Sequence, residues 1–253
     1  MKTKIILALF LIFSLIFSVT VTADCGMRWY VKRNGTRQPK LDEAQKIIYE
    51  YNGTFLNQAV SDDSDEKVLY LTFDVGYENG NVEKILDALK ENGAQAAFFV
   101  LSHFVRKNTD LVLRMINEGH LVCNHTANHI NLSRANIGDA EKSIKRLEEI
   151  YFECTGKNLD PFFRFPEGAY SEESLKTVQS LGYKSVFWSL AYADWDEARQ
   201  PGESFARNLL LSNTHNGAVI LLHPTSTTNA KILPSLIADW RSMGYRFGSL
   251  YEL

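Results

Sequence analysis

Cysteine is scarce in this chain: only Cys25, Cys123 and Cys154 occur among 253 residues. An odd number of thiols excludes a fully paired disulfide framework, so stability has to come from a buried apolar core. Positive charge is not in excess, with 27 Lys and Arg against 30 Asp and Glu and a formal net charge of -3. That balance argues against nucleic acid or another polyanion as a partner. Internal repeats and low-complexity tracts are also missing, which sets aside solenoids and disordered arrays.

One apolar run stands at the N-terminus. In MKTKIILALFLIFSLIFSVTVTA two lysines precede roughly fifteen apolar residues and a small-residue exit at Val21, Thr22 and Ala23, the pattern of a secretory signal peptide. Residues 1–23 are expected to be cleaved after Ala23, leaving a secreted or cell-surface protein, expected to be a monomer, without stable membrane insertion. The alternative is an uncleaved anchor, for which the run is short against the ~20 residues of a full span. Cleavage removes Lys2 and Lys4, so 25 basic residues would face 30 acidic ones, a net charge of -5. Sequons occur at Asn34, Asn52, Asn124 and Asn131, and a glycan on Asn124 would crowd His125.

The chain as a whole is 45% hydrophobic and 23% charged, which suits one domain with a filled core. Residues 24–65 are mixed and polar, with a short helix expected over residues 41–51, and read as an N-terminal extension without a core of its own. From residue 66 to 253 the pattern alternates. VLYLTF, AQAAFFVL, HLVCN, PFFRF, SVFWSL, AVILLH and YRFGSL read as strands. Helical spacing appears between them: at Val82, Ile85, Leu86 and Leu89, over residues 111–118, around Ile144, Leu147, Ile150 and Tyr151, and over residues 172–181, 205–211 and 232–240. About seven strands alternating with helices imply an α/β fold with a parallel sheet, open or closed into a barrel.

Polar residues recur where these strands end. Asp74 follows YLTF, His125 and His129 lie in HTANH after LVCN, Arg164 sits in FFRFPEG, Asp194 follows FWSLAYA, and His223 ends VILLH. Strand ends of such a sheet meet at one mouth, where α/β enzymes keep their chemistry. Taken singly each has a plainer reading: a hydrogen-bonded structural histidine, a salt-bridge arginine, a helix cap at Asp194. HTANH, read as a helical turn, places two imidazoles four residues apart on one face, able to chelate a divalent ion.

In this order, TFDVG, HTANH, RFPEG, ADW and LLHP resemble the polysaccharide deacetylases, the NodB-homology family of carbohydrate esterases, over residues 66–253. The phrases GYENG and FWSLAYADW look most like the subgroup of peptidoglycan N-acetylmuramic acid deacetylases that make muramic δ-lactam in the spore cortex. The resemblance implies a distorted (β/α) barrel of about seven parallel strands and hydrolysis of an acetamido sugar in a peptidoglycan strand. It also implies roles: Asp74 as general base, Arg164 as its partner, His223 as general acid and Asp194 as the carboxylate behind that histidine. Glu167, whose backbone N-H would face the oxyanion, and Gly168, Tyr170 and Trp195 are the implied substrate contacts. His125 and His129 match two ligands of a divalent metal, zinc by expectation. The third ligand in the family is an aspartate where this chain has Val75, so metal should bind weakly or not at all. Glu78 and Cys123 are the nearby residues that could substitute for it. Deacetylation of another sugar such as N-acetylglucosamine, and an inactive glycan-binding role, remain alternatives.

Overall fold

The computed structural model describes residues 26–253, so the expected signal peptide at residues 1–23, and Cys25, lie outside the described residues. In chain order the strands are β1 (Met27–Arg28), β2 (Val68–Val75), β3 (Ala96–Val100), β4 (Leu121–Asn124), β5 (Asp160–Phe163), β6 (Ala169–Tyr170), β7 (Lys184–Ser185), β8 (Ala218–Leu222) and β9 (Arg246–Phe247). The helices are α1 (Ile47–Glu50), α2 (Val82–Glu91), α3 (Ser102–Lys107), α4 (Thr109–Asn117), α5 (Ile137–Thr155), α6 (Glu172–Ser180), α7 (Glu203–Ser212) and α8 (Thr227–Ser242).

Seven strands form one parallel sheet in the order β7-β5-β4-β3-β2-β8, with β9 beside the first residues of β2. The sheet curls into a half-barrel, in agreement with the distorted (β/α) barrel that the family resemblance implies. Irregular chain spans its open side: Ser185 pairs with Phe163 of β5, while Leu190 bridges to Ile220 of β8. The sequence predicts a full strand over SVFWSL, but only Ser185 lies in a regular one. The cause is the Arg164 guanidinium, whose Nε donates to the carbonyl of Val186 at 3.0 Å and whose Nη2 donates to that of Phe187 at 3.4 Å. Those carbonyls are satisfied by a side chain instead of a neighbouring strand, so the ladder stops without leaving buried polar groups unpaired. The short helix α3 is an element that the spacing of apolar residues does not predict.

Side-chain parity along the strands sorts the core. Leu69, Leu71, Phe73 and Val75 of β2 face the helices and join the outer apolar cluster with Ile85, Leu89 and Leu236. Val68 and Tyr70 face the barrel interior, with Phe99, Cys123, Phe162 and Val219. Each such fully buried side chain contributes about 1.5–3 kcal/mol. Thr72 and Asp74 continue the inward series toward the C-terminal mouth, where both meet Arg164.

Of the segment ahead of β2, Trp29, Ile48, Phe55 and Leu56 pack with Phe163, Phe165 and Phe187 in a third cluster. β1 pairs antiparallel with β6, tying this segment to the loop that follows β5. The helix expected over residues 41–51 is reduced to a 3-10 turn (Glu43–Lys46) running into α1.

Candidate active site

Asp74 stands at the C-terminal end of β2 with its side chain 10% exposed, and its Oδ1 accepts from Arg164 Nη1 at 2.9 Å. Arg164 is fully buried: the same Nη1 donates to Thr72 Oγ1 at 2.9 Å, and the guanidinium stacks 4.2 Å from the Phe99 ring centroid. Burial would push the Asp74 carboxyl up, but Arg164, His125 and His223 together outweigh it and hold the group below its ordinary value. A carboxylate so held is ionised at neutral pH and has a fixed orientation.

The two histidines of HTANH do not sit on a helical turn. Asn124, fully buried at the end of β4, accepts the Thr126 N-H at 2.8 Å through Oδ1 and donates through Nδ2 to the Ile144 carbonyl at 3.2 Å. This local turn competes with helix formation, and Thr126 and His129 take positive φ of 69° and 57°. Burial of Asn124 also makes its sequon inaccessible in the folded chain. His125 is buried, and its Nδ1 lies 2.8 Å from the Arg164 carbonyl. A carbonyl only accepts, so Nδ1 carries the hydrogen and Nε2 presents a lone pair, 3.6 Å from Asp74 Oδ2. Burial pushes the ring down to about 4, against the pull of Asp74, so it is neutral at pH 7.

The exposed His129 ring lies edge-on to His125 at 5.0 Å between centroids. A lone pair facing a carboxylate suits a cation, but the donor set is short. Among the described residues no group of three His, Cys, Asp or Glu side chains is placed to hold an ion. Val75 does not line the cleft at all; strand parity turns it outward, and it is fully buried in the outer apolar cluster. Neither proposed substitute replaces it. Glu78 caps α2, accepting the N-H groups of Gly80 and Val82, and Cys123 is buried in the barrel interior, where burial raises its thiol well above the ordinary value. The side chains present therefore do not fit the three-ligand metal that the motif order implies.

Across the mouth, His223 follows β8 and Asp194 lies in the loop beyond Leu190. Asp194 is fully buried; its Oδ1 accepts from His223 Nδ1 at 2.8 Å and its Oδ2 accepts the His223 backbone N-H at 2.8 Å. Burial lowers the imidazole, but Asp194 and Asp74 outweigh it and the ring is raised above its ordinary value. Asn229, which the motif order does not single out, completes this arrangement. Its Nδ2 donates to Asp194 Oδ2 at 2.6 Å and to the His223 carbonyl at 3.1 Å, while its Oδ1 accepts from Tyr192. An asparagine in the first turn of a helix reads as a cap in sequence, so only the fold reveals the contact.

These groups open onto one cleft of about 980 Å³ that includes Asp74, His125, His129, Glu167 and His223. Glu167, on the turn Pro166–Gly168, has a positive φ of 58°, and its backbone N-H meets no acceptor among the described residues. With Thr126 and His129 it makes three of the four non-glycine residues at positive φ among the described residues, a concentration of backbone strain in the turns beside the cleft. Gly168 is required at its place: a Cβ there would lie 2.9 Å from both Trp188 and Trp29, and its φ is 61°. Trp195, 63% exposed, lines the cleft. Tyr170 does not. It is fully buried among Phe165 and Phe187 because β6 pairs with β1 and turns that side chain into the apolar cluster.

The arrangement brings together a fixed carboxylate, a histidine of raised proton affinity opposite it, and at Glu167 a backbone N-H without an acceptor among the described residues. The profile of the polysaccharide deacetylases matches residues 61–186. The peptidoglycan-N-acetylmuramic acid deacetylase PdaA of Bacillus subtilis is 36% identical over 229 residues, covering 90% of this chain and 85% of that protein. A peptidoglycan-N-acetylglucosamine deacetylase of Bacillus cereus is 32% identical over 197 residues, covering 75% and 89%. The solved structure of Bacillus subtilis PdaA, a family 4 carbohydrate esterase, superposes with a TM-score of 0.84 at 35% identity, covering 90% of this chain and 96% of that one. On its sequence, its half-barrel and the side chains at its strand ends, this chain belongs to the polysaccharide deacetylase family, hydrolases that act on acetamido sugars.

Proposed function

We propose that the protein removes the acetyl group from N-acetylmuramic acid in peptidoglycan glycan strands, outside the cell membrane. The observation that carries this reading is a pair of carboxylate-histidine couples facing one cleft with their proton affinities pushed apart, Asp74 down and His223 up. Environments that separate two such groups assign base and acid. In the reaction Asp74 takes a proton from water as its oxygen bonds to the acetamide carbon, with Arg164 keeping the carboxylate aligned. Charge developing on the carbonyl oxygen is met by the Glu167 N-H. His223 then gives its Nε2 proton to the sugar nitrogen as the C-N bond breaks, releasing acetate and the free amine. That amine and the lactyl carboxyl on the neighbouring ring carbon are placed to close a δ-lactam within one sugar.

Members of this family generally depend on a divalent metal. Here an ion such as zinc would be held by His125 and His129 beside Asp74, without the third dedicated ligand, and would bind weakly; none of these steps runs through one. The choice of muramic acid is supported by the higher identity of the muramic deacetylase of Bacillus subtilis and the larger share of this chain that it covers. The match to a glucosamine deacetylase favours a second reading, action on N-acetylglucosamine. Incubation of residues 24–253 with glycan strands stripped of peptide, followed by mass spectrometry, decides between them. Acetyl loss from muramic acid is expected. Loss from glucosamine alone would select the second reading, and loss from neither would point to a glycan-binding protein without activity.

A further inference from the structure

We propose that Arg28 reads the lactyl carboxylate of the muramic acid being deacetylated, so that discrimination against glucosamine is carried by β1 and not by the barrel. The inference rests on the muramic reading above and identifies the side chain behind it. N-acetylmuramic acid differs from N-acetylglucosamine by a lactyl ether on ring carbon 3, next to the acetamido group on carbon 2. A reader of that anion must therefore be a cation beside the groups that bind the acetamide. Among the described residues lining the cleft, Arg28 is the only lysine or arginine; the other ionisable groups are Asp74, Glu167, histidines and the tyrosines Tyr77 and Tyr192.

Its position is built by the fold. Arg28 pairs with Ala169, Met27 with Tyr170, and the Trp29 N-H donates to the Gly168 carbonyl at 2.7 Å. Trp29 is buried, stacked 4.5 Å from the Phe187 ring, with Nε1 donating to the Trp188 carbonyl at 2.9 Å. The strand is thus fastened to the turn that carries the Glu167 N-H, the group placed to meet the acetamide oxygen. The neighbouring lactyl group of a substrate held there falls alongside Arg28.

The guanidinium already holds a carboxylate. Arg28 Nη2 donates to Glu167 Oε2 at 2.9 Å, with the two side chains 68% and 40% exposed. An ion pair so open to water adds little stability, so a second carboxylate can share or displace it at small cost. No partner for Nε or Nη1 of Arg28 is found among the described residues. That leaves an edge for the bidentate geometry by which arginine binds carboxylates. Glucosamine has a hydroxyl on carbon 3 and offers this edge no charge.

The test compares kcat/KM on three substrates: glycan strands with the free lactyl acid, the same strands with that carboxyl converted to a methyl amide, and N-acetylglucosamine oligomers. Arg28→Gln should lose about tenfold or more on the free acid, chiefly through KM, and change little on the amide. Arg28→Lys should recover part of the loss. Arg33→Gln should leave the preference intact; this residue lines the adjoining cavity and donates to the Ala191 carbonyl at 3.0 Å. Equal losses on acid and amide would show that Arg28 acts only by holding Glu167, and no loss would show that it reads nothing; either overturns the proposal. Wild-type protein that deacetylates only glucosamine would overturn the muramic reading and this proposal with it.

Discussion

Each side of the cleft pairs an aspartate with a histidine, and the two pairs end in opposite states. On the β8 side Asp194 and His223 are 2.8 Å apart with Nδ1-H pointing at the carboxylate, and the ring is raised above its ordinary value. On the β4 side Asp74 and His125 are 3.6 Å apart with a lone pair toward the carboxylate, and the ring falls to about 4. Burial lowers both rings, and the difference lies in the carboxylate each one meets. His125 faces Asp74 only at a distance, with Arg164 already paired to that carboxylate and His129 beside the ring, so burial wins. His223 bonds Asp194 directly, and Asn229 holds that carboxylate in place. Residue type alone therefore does not assign an acid or a base; the tautomer and the competing cation do.

Removing either the proposed base or the proposed acid should break the asymmetry with the greatest loss. Asp74→Asn and His223→Ala should each lower turnover by about 100-fold or more, measured by acetate release. Asp74→Asn should also destabilise the fold by about 3–5 kcal/mol in a denaturant titration, since it leaves the Arg164 charge buried without its partner. Near-normal turnover in either variant would remove that residue from the mechanism.

Val75→Asp comes next. Because Val75 packs in the outer apolar cluster, an aspartate there should cost about 3 kcal/mol or more and should not create a tight zinc site. Calorimetry showing tight zinc binding by the variant would mean that this side chain can turn into the cleft after all.

Asn229→Ala should have a smaller effect, about a tenfold loss of kcat comparable to removing a supporting hydrogen bond. Its signature lies in the pH profile. The proposed reaction needs Asp74 ionised, which sets an acid limb below the ordinary carboxylate value, and His223 protonated, which sets an alkaline limb above the ordinary histidine value. Loosening Asp194 should move only the alkaline limb, toward lower pH. A uniform drop with both limbs fixed would assign Asn229 a purely structural part.

Much of this site is legible in sequence because buried parallel strands are continuous apolar runs, and a polar residue at their ends stands out. Asp74, His125, Arg164 and His223 are visible in that way. What stays hidden depends on side-chain to backbone bonds between distant segments. Arg164 dissolves the strand expected over SVFWSL, Asn124 replaces the helical turn expected at HTANH, and Asn229 reaches Asp194 from another element. Parity hides the rest: alternation through residue 75 turns Val75 away from the cleft, and pairing of β6 with β1 buries Tyr170. No periodicity in the sequence distinguishes a strand that stops at Asp74 from one that continues through Val75.

Imidazole nitrogen NMR across pH on the wild-type protein, with His125→Gln and His223→Gln used for assignment, reads both histidines at once. His125 should be neutral at pH 7, with its proton on Nδ1, and remain so down to about pH 4, while His223 should titrate above the ordinary value of 6.5. Both rings titrating together near 6.5, or His125 charged at pH 7, would contradict the opposed states on which the assignment of base and acid depends.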